Sequence, residues 1–313
     1  TMVGERSGEN SSDGIYNTFV GYLAGYNNAH ATGRNTFIGS NAGQSANTQY
    51  QSVFIGQEAG YGSASSGYAN VVVGRQAGYS MTSALANVWL GHAAGYAATT
   101  ADKSVFIGES AGKAVTTQDG SVLIGFEAGR LQEVGSGGNV AVGHQALYSG
   151  TQNYQNVALG YNAGRKATGA SASNVYLGTH AGPSSAGAES NKLYINNAEG
   201  TPLIGGDFST PSVTINGALY MGQTITDGSS GDKIYFNGTS HYIRQDSSDL
   251  DLYSADDISI RAADDARVIV NGNTLATFDG GNNRLGIGTT SPQQKLHVEG
   301  GFRFRDGNSS SQR

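Results

Sequence analysis

Seven aspartates crowd into residues 246–265, namely Asp246, Asp249, Asp251, Asp256, Asp257, Asp264 and Asp265. Such a density could supply the carboxylate pair of a glycoside hydrolase. That chemistry needs two carboxyls roughly 5–9.5 Å apart across a sugar-sized cleft. Short strands without long loops offer little cleft, so solubilising charge and edge protection are the simpler reading. His92 and His144 share one position of an internal repeat and could meet symmetry mates around an axis to bind an ion. As members of a surface ladder they need no ion. Asp227-Gly228-Ser229-Ser230-Gly231-Asp232 has the composition of a calcium loop but not EF-hand ligand spacing, and reads as a polar turn. Gly286-Ile287-Gly288 begins like a dinucleotide loop, yet Pro292 intervenes and no helix follows. No Ser/His/Asp spacing, nucleophile elbow, P-loop or metal-binding His pair is present. The expectation is a protein that is not an enzyme and uses no cofactor.

A row of tyrosines remains: Tyr26, Tyr61, Tyr79, Tyr96 and Tyr148, all five residues beyond a recurring glycine. Facing outward, stacked phenols could grip the sugar rings of a host glycan; the plainer reading is a structural ladder.

These positions belong to a repeat that spans most of the chain. Its anchor glycines are Gly4, Gly21, Gly39, Gly56, Gly74, Gly91, Gly108, Gly125, Gly143, Gly160 and Gly178, spaced 17 or 18 residues apart. With the anchor as position 0, alanine stands at +3 in every copy but the first, which has Ser7. Glycine stands at +4 in every copy except that of Leu147. A period this tight marks stacked repeats, each one coil of a parallel β-solenoid, with neighbouring copies about 4.8 Å apart. A coil split between two β-layers is the alternative. The chain opens at Thr1, three residues before an anchor, which reads as a start in mid-repeat and hence as a piece of something longer.

A short strand precedes each anchor. Position −4 is Asn or Ser, −3 is Thr or Val, and −1 is Val, Ile or Leu. Strand alternation places −3 and −1 on one face and −2 on the other. β-Branched −3 and −1 residues suit a buried lumen. The −2 row is also apolar and usually large: Phe19, Phe37, Phe54, Val72, Trp89, Phe106, Leu123, Ala141, Ala158, Tyr176. Leaving it wet would forfeit on the order of 15 kcal/mol at about 1.5–3 kcal/mol per large side chain. A stripe of that size predicts an interface, here the seam of a homotrimer. The alternative is a thick solenoid that encloses both rows unaided.

Composition agrees with an all-β fibre. The 313 residues include 48 glycines and only 4 prolines, with 13% charged. Cysteine is absent, so neither disulfides nor thiolate metal sites contribute. A net charge of −6 supplies no basic footprint for nucleic acid, and no apolar run reaches the length of a membrane span.

The repeat decays after Gly178. In Asn191-Lys192-Leu193-Tyr194-Ile195, Asn191 reads as the −4 asparagine and Ile195 as the occupant of the anchor position, making an atypical capping copy. Beyond about 201 the period vanishes. Short strands are expected at Ser212–Ile215, Lys233–Phe236, His241–Arg244, Asp249–Tyr253, Asp257–Arg261, Arg267–Val270 and Thr274–Phe278. The expected organisation is a repeat array over 1–182, a capping and transition segment over 183–218, a triangular β-prism-like shaft over 219–300 and a tail over 301–313.

Four stretches carry a resemblance: Asn191–Asn196 (NKLYIN), Pro202–Phe208 (PLIGGDF), Asp249–Ile260 (DLDLYSADDISI) and Leu285–Glu299 (LGIGTTSPQQKLHVE). They resemble bacteriophage tail-fibre and tailspike shafts that carry a C-terminal intramolecular chaperone. The N-T-F-I-G-x-x-A-G repeats are also similar to arrays in such fibres and, more loosely, to heads of trimeric autotransporter adhesins. The resemblance covers about 190–300 with its firmer motifs, and the self-cleaving chaperone itself is not visible. It implies a structural and receptor-binding fibre of a phage or phage-tail-like particle. The partners would be copies of itself, an upstream tail or baseplate protein, and a host-surface glycan or receptor. It implies a place on the virion or on an extracellular appendage. A tailspike depolymerase and a trimeric bacterial adhesin are the alternatives.

Overall fold

The computed structural model describes residues 1–11, 15–29, 33–63, 67–132, 137–150, 152–217 and 282–301, together with the strands 232–235, 241–246, 249–254, 265–270 and 273–279. All regular structure among these residues is β. Two compact units are present, Thr1–Leu219 and Tyr220–Arg313.

The first unit is a parallel β-solenoid with one three-residue strand per coil. Its strands are β1 (Met2–Val3), β2 (Thr18–Val20), β3 (Thr36–Ile38), β4 (Val53–Ile55), β5 (Val71–Val73) and β6 (Val88–Leu90). They continue as β7 (Val105–Ile107), β8 (Val122–Ile124), β9 (Val140–Val142), β10 (Val157–Leu159), β11 (Val175–Leu177) and β12 (Lys192–Ile195). Each pairs in parallel with the next at equivalent positions, as Trp89 with Phe106 and Leu90 with Ile107. Two antiparallel strands, β13 (Ile204–Asp207) and β14 (Ser212–Ile215), then close the sheet.

The core inverts the expected facing of the strands. Every −2 side chain from Phe19 to Tyr176 is fully buried within the single chain, whereas −3 and −1 residues are half-buried or exposed. Phe19, Phe37, Phe54, Val72, Trp89, Phe106, Leu123 and Tyr176 therefore form a lumenal column, not a seam between chains. The reason is the corner at +3 and +4. Alanines +3 are buried beside the column. A Cβ on the +4 glycines would lie 2.7 Å from the ring of Phe37 at Gly43 and 2.9 Å from the indole of Trp89 at Gly95. The lumen is one large side chain wide, so one strand position per coil fills it. Phe37 and Phe54 stack within it at 4.6 Å.

Two backbone devices hold the coils at strand spacing. Each anchor glycine adopts a positive φ, +137° at Gly91, and a Cβ there would come within 2.5 Å of the Gly108 carbonyl oxygen. No side chain fits at that stack of main chains. The −4 side chains make a buried ladder: Ser104 N–H donates to Asn87 Oδ1 at 2.8 Å, and Asn87 Nδ2 donates to the Ala101 carbonyl at 2.7 Å.

The ladder also corrects the register of the last coil. Lys192 N–H, not Asn191, donates to Asn174 Oδ1, at 2.8 Å. Leu193, Tyr194 and Ile195 pair with Val175, Tyr176 and Leu177. Ile195 is thus a −1 residue and Asn196 takes the anchor position. The copy looked degenerate because Lys replaces Asn at −4 and Asn replaces Gly at 0.

In the second unit, β15 (Asp232–Tyr235), β16 (His241–Asp246) and β17 (Asp249–Ser254) form an antiparallel meander. A separate sheet runs β18 (Asp265–Val270), β19 (Asn273–Asp279), β20 (Arg284–Ile287) and β21 (Leu296–Val298), the last pair parallel. The expected strand Asp257–Arg261 lies outside the described residues, as do residues 227–231 of the suspected calcium loop and Asp256, Asp257 and Asp264.

Candidate functional site

With the lumen filled by −2 side chains, whatever this solenoid does is done by its outer rows. The strand, being three residues long, presents only −3 and −1 outward. Its +1 and +5 neighbours extend the surface around the following corner.

The +5 row carries the tyrosines. Tyr61, Tyr79 and Tyr96 stack face to face at 5.0 Å, tilted by only 3–4°. Their rings cover one another, so edges rather than faces point away from the stack. Burial, then the nearby Tyr61, raises the Tyr79 phenol above its ordinary pKa. Cations lie over three of the rings. Arg6 lies 4.7 Å over Tyr26 and donates to its hydroxyl. Lys113 lies 6.0 Å over Tyr96. Tyr148 sits between Arg130 at 5.7 Å and Arg165 at 5.5 Å. Ring–ring and cation–ring stacking thus occupy both faces of Tyr79, Tyr96 and Tyr148, the faces that a sugar would need.

The two histidines singled out by position lie three coils apart. His144 stacks between Phe126, at 5.0 Å, and Tyr161, at 4.8 Å. His92 instead faces Glu109 at 3.7 Å. Among the described residues no three His, Asp or Glu side chains converge as a metal site would require. No described helix is long and apolar enough to cross a membrane. Gly286 lies within β20 and Gly288 turns the chain at φ +77°. That segment is a strand end, not a phosphate loop.

At the C-terminal end of the solenoid the column finishes on Tyr176 and Tyr194, stacked at 5.7 Å. Both hydroxyls donate to the Glu189 carboxylate, at 2.9 and 2.8 Å. Burial and the carboxylate push both phenols well above the ordinary tyrosine range. Beside them an open cavity of about 550 Å³ is lined by Ser184, Lys192, Tyr194, Thr201, Asp207 and Asn216, among others. Lys192 and Asp207 form an ion pair there at 2.5 Å, and the ammonium holds the Asp207 carboxyl well below its usual range. Sequence reasoning missed these groups because Lys192 meets Asp207 only when β13 folds back on β12, and Glu189 meets Tyr176 only across neighbouring coils.

Comparison of the chain with known protein families, with curated proteins and with solved structures finds no match.

Proposed function

We propose that the chain is a structural and receptor-binding segment of a fibre belonging to a phage or phage-tail-like particle, displaying host-attachment surfaces along a stiff β-solenoid. The observation that carries this reading is the in-register stack of twelve parallel strands, β1 to β12. It repeats the same outward positions at every step of about 4.8 Å. A surface that repeats in this way suits weak contacts multiplied by effective concentration rather than one deep site. Host-surface glycan or receptor on one side and a tail or baseplate protein on the other are the partners this role requires.

Adsorption of the purified chain to candidate host cells tests the proposal, with incubation on capsule or lipopolysaccharide in parallel. Saturable adsorption without oligosaccharide release is the expected result. Released oligosaccharide would replace the fibre reading with a depolymerase. Tyr79→Ser with Tyr96→Ser asks whether the tyrosine ladder contributes; unchanged adsorption by the folded variant would assign it to structure alone.

A further inference from the structure

The lumen is filled along the repeats but open at its C-terminal end. Residues directly opposite in an antiparallel pair share a face. The lumenal face of β12 therefore continues across β13 and β14. Tyr194, stacked on Tyr176, stands opposite Gly205, and Gly205 opposite Thr214. Lys192 stands opposite Asp207, and Asp207 opposite Ser212. The face that carries the apolar −2 column from Phe19 to Tyr176 thus turns to hydroxyl, carboxylate and ammonium groups around Tyr194. At Gly205 a Cβ would meet Pro202 Cγ at 2.6 Å, so no large side chain continues the column. What remains is the open cavity of about 550 Å³, within the size range of small-molecule sites.

We propose that this cavity binds an uncharged sugar, a pyranose unit of a surface glycan. The inference rests on the fibre reading and gives it one defined receptor site per chain, at the end of the lumen rather than along the outer rows. Three features of the lining select that ligand. Ser212, Thr214 and Asn216 are exposed, and Ser184 and Thr201 line the same cavity from the preceding loops. A hydroxyl both donates and accepts, which matches the hydroxyls of a sugar ring. Tyr194 and Pro202 add apolar surface for the C–H face of that ring.

The third feature is charge. Among the described lining residues Lys192 is the one cation and Asp207 the one carboxylate, paired at 2.5 Å. Lys192 and Ser209 both donate to Asp207 and hold its carboxyl well below the usual range. The carboxylate therefore stays ionised and the ammonium stays matched. An acidic sugar or a phosphate finds no unmatched cation there. A sugar hydroxyl is better served, because Asp207 takes one of the three ammonium N–H groups and orients the rest.

Saturation-transfer NMR on the full chain tests the site. The neutral probes are the methyl glycosides of glucose, galactose and N-acetylglucosamine, and the charged probes are glucuronic and N-acetylneuraminic acids. Transfer to at least one neutral probe is expected, with both acids binding roughly tenfold more weakly or not at all. Silence of every neutral probe would overturn the site, and so would equal binding of an acid. Ser212→Ile with Thr214→Ile removes two hydroxyls and narrows the cavity. Both residues are exposed, so the thermal melt should not move. Lys192→Met with Asp207→Leu removes both charges together. Each double variant should lose about tenfold or more in affinity, and wild-type binding by both would place the sugar elsewhere and overturn the proposal. Sugar silence with host-cell adsorption intact would remove this site and leave the fibre reading. Sugar binding without adsorption to any candidate host would do the reverse.

Discussion

A Cβ added to Gly43 would lie 2.7 Å from the ring of Phe37, and this contact recurs between +4 and −2 in coil after coil. The exception explains the rule. Leu147 occupies +4 in the coil whose −2 residue is Ala141, below a coil whose −2 residue is Ala158, and it is fully buried. Its Cδ2 lies where a Cβ on Gly164 would come within 2.7 Å. Side-chain volume has moved from one wall of the lumen to the other. Gly43→Ala combines that clash with a φ of +56° and should cost about 2 kcal/mol or more, read by denaturant unfolding.

Leu147→Gly should cost about 2–4 kcal/mol for the cavity, less about 1 kcal/mol for releasing its φ of +50°. Ala158→Phe alone should cost about 1–3 kcal/mol by overpacking. The double variant should be more stable than the sum of the two losses. Simple additivity in that cycle would refute volume exchange.

The −4 ladder should be sensitive to acceptor loss. Asn87→Ala strands the Ser104 N–H and the Ala101 carbonyl, at about 2–4 kcal/mol. Asn87→Ser should cost less, because Ser52, Ser104 and Ser121 occupy the same position in other coils. Equal losses from Ala and Ser would show that the side-chain bonds contribute little.

The tyrosine pair at the cap predicts alkaline sensitivity. Burial, first of all, raises the Tyr176 phenol above its unfolded value near 10. Its contribution to stability is complete below pH 10 and is lost as pH climbs toward the folded value, because only the unfolded chain releases the proton. Phenolate absorbance should show Tyr176 and Tyr194 silent until the chain unfolds, so normal titration of Tyr176→Phe and wild type alike would contradict the structure. Glu189→Ala should cost about 1–3 kcal/mol and remove part of this behaviour.

Asp102 predicts the same direction of pH dependence, but at the acid end of the scale. Burial and then Asp119 raise its carboxyl above the ordinary value, despite the Leu85 N–H that it accepts. The folded state therefore takes up this proton before the unfolded one, and the group destabilises as pH rises. Asp102→Asn keeps an acceptor and removes the charge. A stability gain within about 0.5 kcal/mol at neutral pH, fading in acid, is expected from thermal melts.

The period of 17 or 18 residues determined the class of fold, the strand positions and the corners, because backbone stacking tolerates only glycine at the anchor and little more than alanine at +3. It placed the tyrosines in one row and the −4 asparagines in another. Which face of the strand is inside was decided by tertiary structure alone. Both faces are apolar, so alternation is silent, and the decision lies in the width of the lumen. That width is set by a +4 glycine six residues beyond the −2 side chain it accommodates. Register in the twelfth coil was likewise hidden, since Lys192 continues the ladder through its backbone N–H while its side chain serves Asp207. A main-chain hydrogen bond leaves no trace in residue type, and so the sequence read Asn191 where the structure uses Lys192.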